Sequence, residues 1–230
     1  RNAEVYLRTW FIGALPPLLD PLTYILAFGV GIGALVGSVP WGGEGRQVPY
    51  LQYVAPGMLA YAIMSQAYFE CTFSSFIRMY FQKTFEAIIA TPCSLADVVA
   101  GEILWGATKA LIGTALMLGV LAAFGLVSLP SALWILPLSL LAGWAFAALG
   151  FTVAALVPQI DAFNVPMFLF IFPMFALAET FFPLPETGWI RDLAACLPLT
   201  WVSRIARAAA LGEPSLSGAL PGLAGLGSMG

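Results

Sequence analysis

Four windows without a single charged residue limit what this chain of 230 residues can fold into. They are residues 21–43, 47–69, 110–160 and 162–178. A helix that crosses the hydrocarbon core of a bilayer needs about 20 apolar residues, so each window can hold at least one crossing. The whole chain is 60% hydrophobic and only 9% charged, which excludes a water-soluble globular domain. The sequence therefore predicts an integral membrane protein.

The third window is too long for a single crossing. At about 1.5 Å per residue, a helix over residues 110–160 would be more than twice as long as a hydrocarbon core of roughly 30 Å. Residues 128–131 (Ser-Leu-Pro-Ser) supply a turn, so we predict two helices there and five spans in all. We interpret residues 214–230 as the start of a sixth span and both chain ends as trimmed. The predicted fold is an all-α polytopic membrane protein with one transmembrane domain over residues 1–230.

The segment before the first span, residues 1–16, alternates apolar and polar side chains, which predicts a short helix along the membrane interface. Pro16, Pro17 and Pro21 should separate this helix from the span. The pattern fits an aromatic anchor and a docking helix equally well. No signal-peptide pattern precedes Trp10, so the first hydrophobic run is a span. Basic residues are nearly balanced between the two sides, and we place the N-terminus in the cytoplasm.

One charged, helix-forming segment, residues 78–109, separates the hydrophobic windows. Its charged side chains are Arg78, Lys83, Glu86, Asp97, Glu102 and Lys109. A membrane protein that is moved by something outside the membrane needs such a segment. We therefore predict that residues 78–97 form a cytoplasmic coupling region.

Residues 179–213 are too polar and too rich in proline to cross, yet they carry several large apolar side chains. We predict an extracytoplasmic re-entrant segment that dips into the outer leaflet, with its irregular backbone buried in protein or lining a wet cavity. Within it, residues 200–211 favour a helix that ends at Gly212. This helix places Trp201, Ile205 and Ala208 on one face and Arg204 and Arg207 on another.

Several kinds of site are unsupported by the residues present. The chain has no histidine, which excludes a histidine nucleophile partner, metal ligand or proton relay. Residues 101–108 have the glycine spacing of a phosphate loop, but Ala107 stands where the lysine is required, so ATP needs a separate subunit. Three scattered cysteines give no disulfide or metal framework. With a net charge of -3, we expect no nucleic-acid partner, and we expect no catalytic residue, metal or cofactor on this chain.

Small residues recur in the first span at Gly29, Gly33 and Gly37. Such a stripe lets another helix approach the backbone closely. We favour packing within the subunit over a dimer seam. The overlapping run GVGIGALVG lacks the spacing of a dinucleotide-binding loop.

Three ionisable residues, Glu70, Glu102 and Lys109, fall within or beside predicted spans. Glu102 and Lys109 are seven residues apart, so on a helix they share one face. Ionisable groups in spans are costly and usually point into a bundle interior or a polar pathway. The alternative, which we favour, is that both glutamates lie near cytoplasmic helix ends and reach headgroup water. All three remain candidates for a substrate pathway.

The charged segment and its surroundings resemble a known transporter family. The matching runs are Gln82-Lys83-Thr84-Phe85-Glu86, Thr91-Pro92-Cys93-Ser94-Leu95-Ala96-Asp97, Gly101-Glu102-Ile103-Leu104-Trp105 and Leu197-Pro198-Leu199-Thr200. In this order they resemble the permeases of ABC-2 type transporters, and most of all the NodJ-like branch associated with lipooligosaccharide export. The resemblance covers nearly the whole chain and is less specific for the substrate than for the superfamily.

The resemblance implies a six-span half-transporter in the bacterial inner membrane. It also implies a homodimer and two separate ABC ATPase subunits, which would carry ATP and Mg²⁺. Residues 82–91 resemble the coupling helix that contacts the ATPase, and Pro92 would end it. The implied contact residues are Gln82, Lys83, Thr84, Glu86 and Thr91.

The implied cargo is a lipid-linked or amphiphilic oligosaccharide or polysaccharide that is exported outward. Tyr61, Tyr68 and Phe69 are further candidates for lining its path. Two alternatives stay open: an ABC-2 permease for a drug or other small molecule, and an ion-coupled secondary transporter. The second would show broken helices in matching halves, and no internal repeat is visible.

Overall fold

The computed structural model of the protein describes Glu4, Tyr6 and residues 10–41, 47–184 and 188–211. These residues are almost entirely helical, with one two-stranded hairpin, which confirms the predicted all-α polytopic fold. Of the predicted interfacial helix over residues 1–16, residues 10–16 belong to the helix that continues into the first span, and seven of residues 1–9 lie outside the described residues. The predicted sixth span, residues 214–230, and the helix stop at Gly212 lie entirely outside them.

The first half of the chain contains the first span, a hairpin, a long central helix and a short connecting helix. Its elements are α1 (Trp10–Tyr24), π-helix π1 (Ile25–Ile32), α2 (Gly33–Val36), β1 (Ser38–Pro40), β2 (Gln47–Pro49), α3 (Tyr50–Phe69), π2 (Glu70–Ser74), π3 (Ile77–Phe81) and α4 (Thr84–Ile89). The two strands pair antiparallel, with Val39 opposite Val48. A short helix, α4, therefore lies within residues 82–91, the stretch for which we predicted a coupling helix, with narrower bounds.

The second half contains two long helices, an interrupted helix and two short helices. Its elements are α5 (Leu95–Ala123), α6 (Leu129–Ala132), α7 (Ile135–Leu156), a 3₁₀ turn (Ile160–Phe163), α8 (Asn164–Pro166), π4 (Met167–Ile171), α9 (Phe172–Leu177), α10 (Trp189–Ala195) and α11 (Pro198–Ala210). The turn after α5 lies at residues 124–128, earlier than the predicted turn at residues 128–131, because residues 129–131 already form part of α6. The predicted helix over residues 200–211 begins two residues earlier, because Pro198 occupies its first turn.

The prolines of the first span do not end its helix, contrary to our expectation. α1 runs through Pro16, Pro17 and Pro21 and continues into π1. Membrane helices tolerate proline where hydroxyl side chains and local π turns compensate the lost backbone hydrogen bonds. One such adjustment is present, since π1 follows α1 directly, while the carbonyls of Ile12, Gly13 and Pro17 lose their usual donors.

Within the described residues, four helical stretches are long and apolar enough to cross a membrane. They are Leu15–Val36, Leu95–Ala123, Leu129–Leu156 and Ile160–Leu177. The fifth predicted span, α3, has 20 residues and is long enough, but it is less apolar and is mostly buried. A helix surrounded by protein does not need the composition that lipid contact requires.

Small residues allow α3, α5 and α7 to pack into a close three-helix core. A Cβ atom added at Gly106 of α5 would lie 2.5 Å from Cys71 Sγ, and one at Gly150 of α7 would lie 2.5 Å from the Tyr68 carbonyl oxygen. In the first span, a Cβ at Gly29 would lie 3.2 Å from Leu51 of α3, which agrees with the packing role favoured for that stripe. The tighter glycine contacts of the core were not predicted.

The connection between α3 and α5 is built from local signals. Lys83 adopts the left-handed conformation (φ 49°) and separates π3 from α4. Ser94 then caps α5: its hydroxyl accepts from the Asp97 backbone N–H, and its own N–H donates to the Asp97 carboxylate. Helix α5 thus begins at Leu95, within the predicted coupling region of residues 78–97.

Candidate functional site

Two groups of charged side chains are buried at opposite ends of α3. The Glu70 cluster consists of Glu70, Arg78, Glu102 and Lys109, and the Arg207 cluster of Glu179, Arg204 and Arg207. Their contacts on α3 and its continuation, Tyr53 and Glu70, are about 25 Å apart along the helix axis. This distance approaches the thickness of a hydrocarbon core, roughly 30 Å.

The Glu70 cluster pairs two carboxylates with two cations. Lys109 Nζ lies 2.7 Å from Glu70 Oε2, and Arg78 reaches both Glu70 Oε1, at 3.4 Å, and Glu102 Oε2. Neutral donors complete it, since Trp105 Nε1 donates to Glu70 at 3.1 Å and the Ser75 hydroxyl to Glu102 at 2.9 Å. The formal charges balance, which is the condition under which charge is tolerated in a membrane protein interior.

Helix periodicity brings these side chains together. Glu70 begins π2 and Arg78 lies in π3, on the continuation of α3. Glu102, Trp105 and Lys109 follow the i, i+3, i+7 spacing on α5 and face α3. The expectation that Glu102 and Lys109 share a face is confirmed.

The sequence contains a signal for these pairs that our predictions did not use. Glu70 and Lys109 lie equally far from the chain segment at Ile89 and Ala90, and so do Arg78 and Glu102. Two opposite-charge pairs centred on one turn are what an antiparallel helix hairpin requires. Contacts between α3, its continuation and α5 have this geometry.

The favoured position of the glutamates in headgroup water is wrong. Glu70 is 7% exposed and Glu102 is 5% exposed, so both point into the helix bundle. The reason is tertiary, because each carboxylate has a cation from the facing helix. Arg78, which we expected on the cytoplasmic surface, has a side chain that is only 13% exposed.

A groove of about 640 Å³ opens beside the Glu70 cluster, between α1 and α3, with α5 contributing Lys109. Four of the six predicted pathway residues line it: Tyr61, Phe69, Glu70 and Lys109. Tyr68 and Glu102 do not. Tyr68 is buried in the three-helix core, and Glu102 lies behind Arg78.

The groove also contains residues that sequence reasoning did not select. They are Gly13, Pro16, Pro17, Asp20, Tyr24, Ser65, Gln66, Phe73 and Ser74. The sequence contained one signal for this groove that we did not use. Asp20 is an acidic residue within the span Leu15–Val36, and ionisable residues in spans usually face a bundle interior or a polar pathway.

The predicted coupling residues surround α4. Gln82, Lys83, Glu86 and Thr91 are exposed, whereas Thr84 is buried and does not present its side chain outward. Phe85 is also buried and stacks against Phe151 of α7, with the ring centroids 6.3 Å apart. Helix α4 therefore has an exposed charged face and an anchored apolar one.

The Arg207 cluster joins α11 and the end of α9 to the start of α3. Arg207 is fully buried; its Nε donates to the Tyr53 carbonyl at 3.1 Å and its Nη2 to the Glu179 carbonyl at 2.7 Å. Its guanidinium also lies over the Tyr53 and Trp41 rings, 3.9 and 5.1 Å from their centroids.

Arg204 forms the second part of this cluster. It holds the Glu179 carboxylate in a two-point contact at 2.5 and 3.0 Å, and this hydrogen-bonded pairing raises the pKa of Arg204 above its ordinary value. The arginine face of the predicted helix, α11, thus points into the protein. Trp201 and Ile205 of the other predicted face are half-buried, whereas Ala208 is buried together with the arginines, and the sequence pattern did not indicate which face is buried.

The geometry agrees with the comparison to known proteins. The family model described as ABC-2 type transporter matches residues 1–211. The chain belongs to the ABC-2 type transporter family. This ABC-2 permease is thus a multi-pass membrane transport protein, and Leu197 to Thr200 form the start of α11, where Leu199 enters the core.

The relatives extend the match over most of the permease. It is 38% identical to Nodulation protein J of Sinorhizobium fredii over 216 residues, which cover 93% of this chain and 80% of the relative. It is 37% identical to Nodulation protein J of Rhizobium leguminosarum bv. trifolii, over 93% of this chain and 80% of the relative. The inner membrane transport permease YadH of Escherichia coli is 23% identical over 85% of this chain and 70% of its own length. No solved structure matches the permease.

Proposed function

We propose that this permease is the membrane-spanning subunit of an ATP-driven exporter for an amphiphilic, carbohydrate-containing molecule. In this proposal it forms a homodimer, has its N-terminus in the cytoplasm, and binds two ABC ATPase subunits through α4. The cargo, a lipid-linked or amphiphilic oligosaccharide or polysaccharide, moves outward. The chain itself binds no nucleotide.

The observation that carries this proposal is the way α4 is attached. Its exposed face offers Lys83 and Glu86 to a partner, while Phe85 anchors it against α7. Arg78 precedes α4 in the chain and pairs with two carboxylates. Glu70 lies on the continuation of α3, and Glu102 lies on α5. A push on α4 is therefore transmitted to three core helices, because close-packed elements shift as units.

The groove supports an amphiphilic cargo. It combines aromatic faces, at Tyr61 and Phe69, with charged and amide groups at Glu70, Lys109 and Gln66. Sugars present both apolar ring faces and hydroxyl groups, and this mixed lining suits both. The groove's volume lies within the range of about 300–1,000 Å³ typical of small-molecule sites.

The proposed function is tested by reconstitution with and without the ATPase. We expect the permease to co-purify with an ABC ATPase and to export a glycolipid cargo from proteoliposomes only when that ATPase and ATP are present. Export by the permease alone, driven by an ion gradient, would favour the secondary-transporter alternative. ATP-dependent export of drugs but of no glycolipid would favour the small-molecule alternative.

The coupling role of α4 has its own test. Lys83→Ala and Glu86→Ala should weaken ATPase association or uncouple ATP hydrolysis from export, with insertion unchanged. Asp161→Ala is the matched control, because Asp161 is exposed on the same side of the bundle, where neighbouring Phe163 packs against Phe73 and Phe76. Wild-type association and export in both α4 variants would exclude this surface as the ATPase contact.

A further inference from the structure

Asp20 is a groove carboxylate that forms no ion pair with any basic side chain in the described part of the chain. It lies in the span Leu15–Val36, opposite Tyr61 and Gln66 of α3. Within the described part of the chain, the ion pairs at Glu70 and at Glu179 account for the basic side chains of both clusters, and none of these pairs includes Asp20. An ionisable group facing a membrane groove without a protein counter-ion is a candidate for ligand binding.

The groove reaches deep into the membrane. Tyr61 is nine residues before Glu70 on the same helix, so the groove extends about 13 Å from the Glu70 end toward the centre of α3. The span that forms one wall of the groove also exposes several leucines outside the groove lining, including Leu15, Leu19 and Leu26. An amphiphile could therefore place its head in the groove while its chains remain in lipid.

The α1 wall of the groove is rich in hydrogen-bond acceptors. Proline has no backbone N–H, so Pro17 and Pro21 leave the carbonyls of Gly13 and Pro17 without their usual donors four residues later. Gly13 and Pro17 both line the groove, and Asp20 adds its carboxylate. On the opposite wall, Gln66 adds its amide, and the Ser65 hydroxyl, which donates to the Ala62 carbonyl at 3.2 Å, adds an acceptor. A ligand that supplies many donors, such as a group of hydroxyls, satisfies this wall.

The formal charge of the groove lining determines which kind of amphiphile headgroup can bind. Asp20 and Glu70 are carboxylates and Lys109 is an ammonium, which leaves one negative charge on the lining. Lys109 is already held by Glu70 at 2.7 Å, so it is not free to neutralise a phosphate. A phosphate-bearing head would be repelled by Asp20, whereas a neutral sugar head would donate to it.

We propose that the groove between α1 and α3 is the binding site for the neutral, hydroxyl-rich head of an amphiphile, and that Asp20 excludes phosphate-bearing heads. This inference rests on the proposed function for its cargo class and adds where the head binds and which residue selects it. In this proposal the prolines of α1 leave backbone carbonyl oxygens free to accept hydrogen bonds from the headgroup.

The experiment is photolabelling of the full chain in nanodiscs. Two probes with identical acyl chains are compared: a monoglucosyl diacylglycerol with a diazirine on the sugar, and a phosphatidylglycerol with a diazirine on its terminal glycerol. Mass spectrometry locates the adducts. We expect the sugar probe to label groove residues around Ser65 and Gln66 and the phospholipid probe to label only lipid-facing helices. Equal labelling of the groove by both probes would overturn the proposal.

Variants test Asp20 itself. Asp20→Asn should lower groove labelling by the sugar probe about tenfold, the effect expected for losing one charged hydrogen-bond acceptor. Asp20→Glu should retain labelling, and Asp161→Asn, which changes an exposed carboxylate outside the groove, should not alter it. Asp20→Lys should admit the phospholipid probe. Unchanged selectivity in Asp20→Asn and Asp20→Lys would refute the role of this carboxylate.

A second measurement needs no variant. In the wild-type protein, excess octyl glucoside should compete with groove labelling and octyl phosphate should not. Competition by octyl phosphate would contradict the proposal even if the Asp20 variants failed to insert. The labelling experiment requires no ATPase, so a negative result would not contradict ATP-driven export. Likewise, export without an ATPase would contradict the proposed function but not the assignment of the groove.

Discussion

The Glu70 cluster and the Arg207 cluster lie at the two ends of the central helix α3 and satisfy their charges differently. In the Glu70 cluster, side chains pair with side chains, and Lys109 remains 31% exposed toward the groove. In the Arg207 cluster, the fully buried guanidinium donates to two backbone carbonyls, those of Tyr53 and Glu179. Side-chain pairs can exchange partners without moving the backbone, whereas bonds to carbonyls fix the chain that carries them.

This difference suggests different roles for the two ends. Glu179 adopts a left-handed conformation (φ 56°), a costly geometry that its contacts with Arg204, Arg207 and Tyr53 hold in place. The Arg207 cluster thus resembles a fixed joint. The Glu70 cluster lies next to α4 and a groove, and its balanced charges permit rearrangement. Four sets of substitutions test whether the two ends differ in this way.

The largest loss of stability is expected for Arg207→Ala. It leaves the Tyr53 and Glu179 carbonyls without their donor and opens a cavity, at a cost of about 3–5 kcal/mol. Unfolding in detergent, followed by circular dichroism, measures it. Arg207→Lys, which keeps the charge but loses the planar fork, should fall between alanine and wild type. Wild-type stability of Arg207→Ala would remove the distinction between a fixed and an adjustable end.

A double-mutant cycle of Arg78 and Glu102 addresses the adjustable end. Each single alanine variant leaves a buried partner charge and should cost about 2–3 kcal/mol. The double variant should cost less than the two singles together by about 1–2 kcal/mol, because it removes both charges. The same unfolding assay gives the coupling energy. Strict additivity would show that the two side chains do not depend on each other.

Glycine contacts compare the packing at the two ends. A Cβ at Gly57 would lie 2.8 Å from the Thr180 carbonyl oxygen, and one at Gly106 would first meet the Cys71 side chain. Gly57→Ala should therefore destabilise the protein by about 1–3 kcal/mol, and Gly106→Ala by less, since a side chain can move more easily than backbone. Gly101→Ala is the control, because nothing lies within 4 Å of its added Cβ. Equal stability of Gly57→Ala and Gly101→Ala would contradict the rigid joint.

The smallest effect on stability is expected for Lys109→Ala. The Lys109 side chain is partly exposed, and Glu70 keeps Arg78 at 3.4 Å as a second cation, so loss of the Lys109 ion pair should cost only about 1 kcal/mol. Export by the reconstituted transporter should nevertheless be lost, because Lys109 faces the groove. Thr108→Ala, one residue away, should export normally. Normal export by Lys109→Ala would leave the Glu70 cluster with only a structural role.

Much of the fold could be predicted from local patterns, and the site only in part. The charge-free windows predicted the long helices and the need for a turn between α5 and α7, although the turn lies at residues 124–128 and not at residues 128–131. The prolines of α1 led to a wrong helix boundary, because the helix runs through them and continues into π1. Tyr61, Phe69, Glu70 and Lys109 were chosen as pathway residues and share one groove, but Tyr68 was chosen by residue type alone and lies in the core.

The sequence by itself determined that this chain is a helical membrane protein of the ABC-2 kind with a charged segment between spans, because hydropathy and helix signals act over short stretches. Only the tertiary structure decided where the charges go. Whether Glu70, Glu102 and Arg207 face water or protein depends on partners between 24 and 154 residues away in the chain. A buried charge is stable only when such a partner is in place, and no local pattern contains that information.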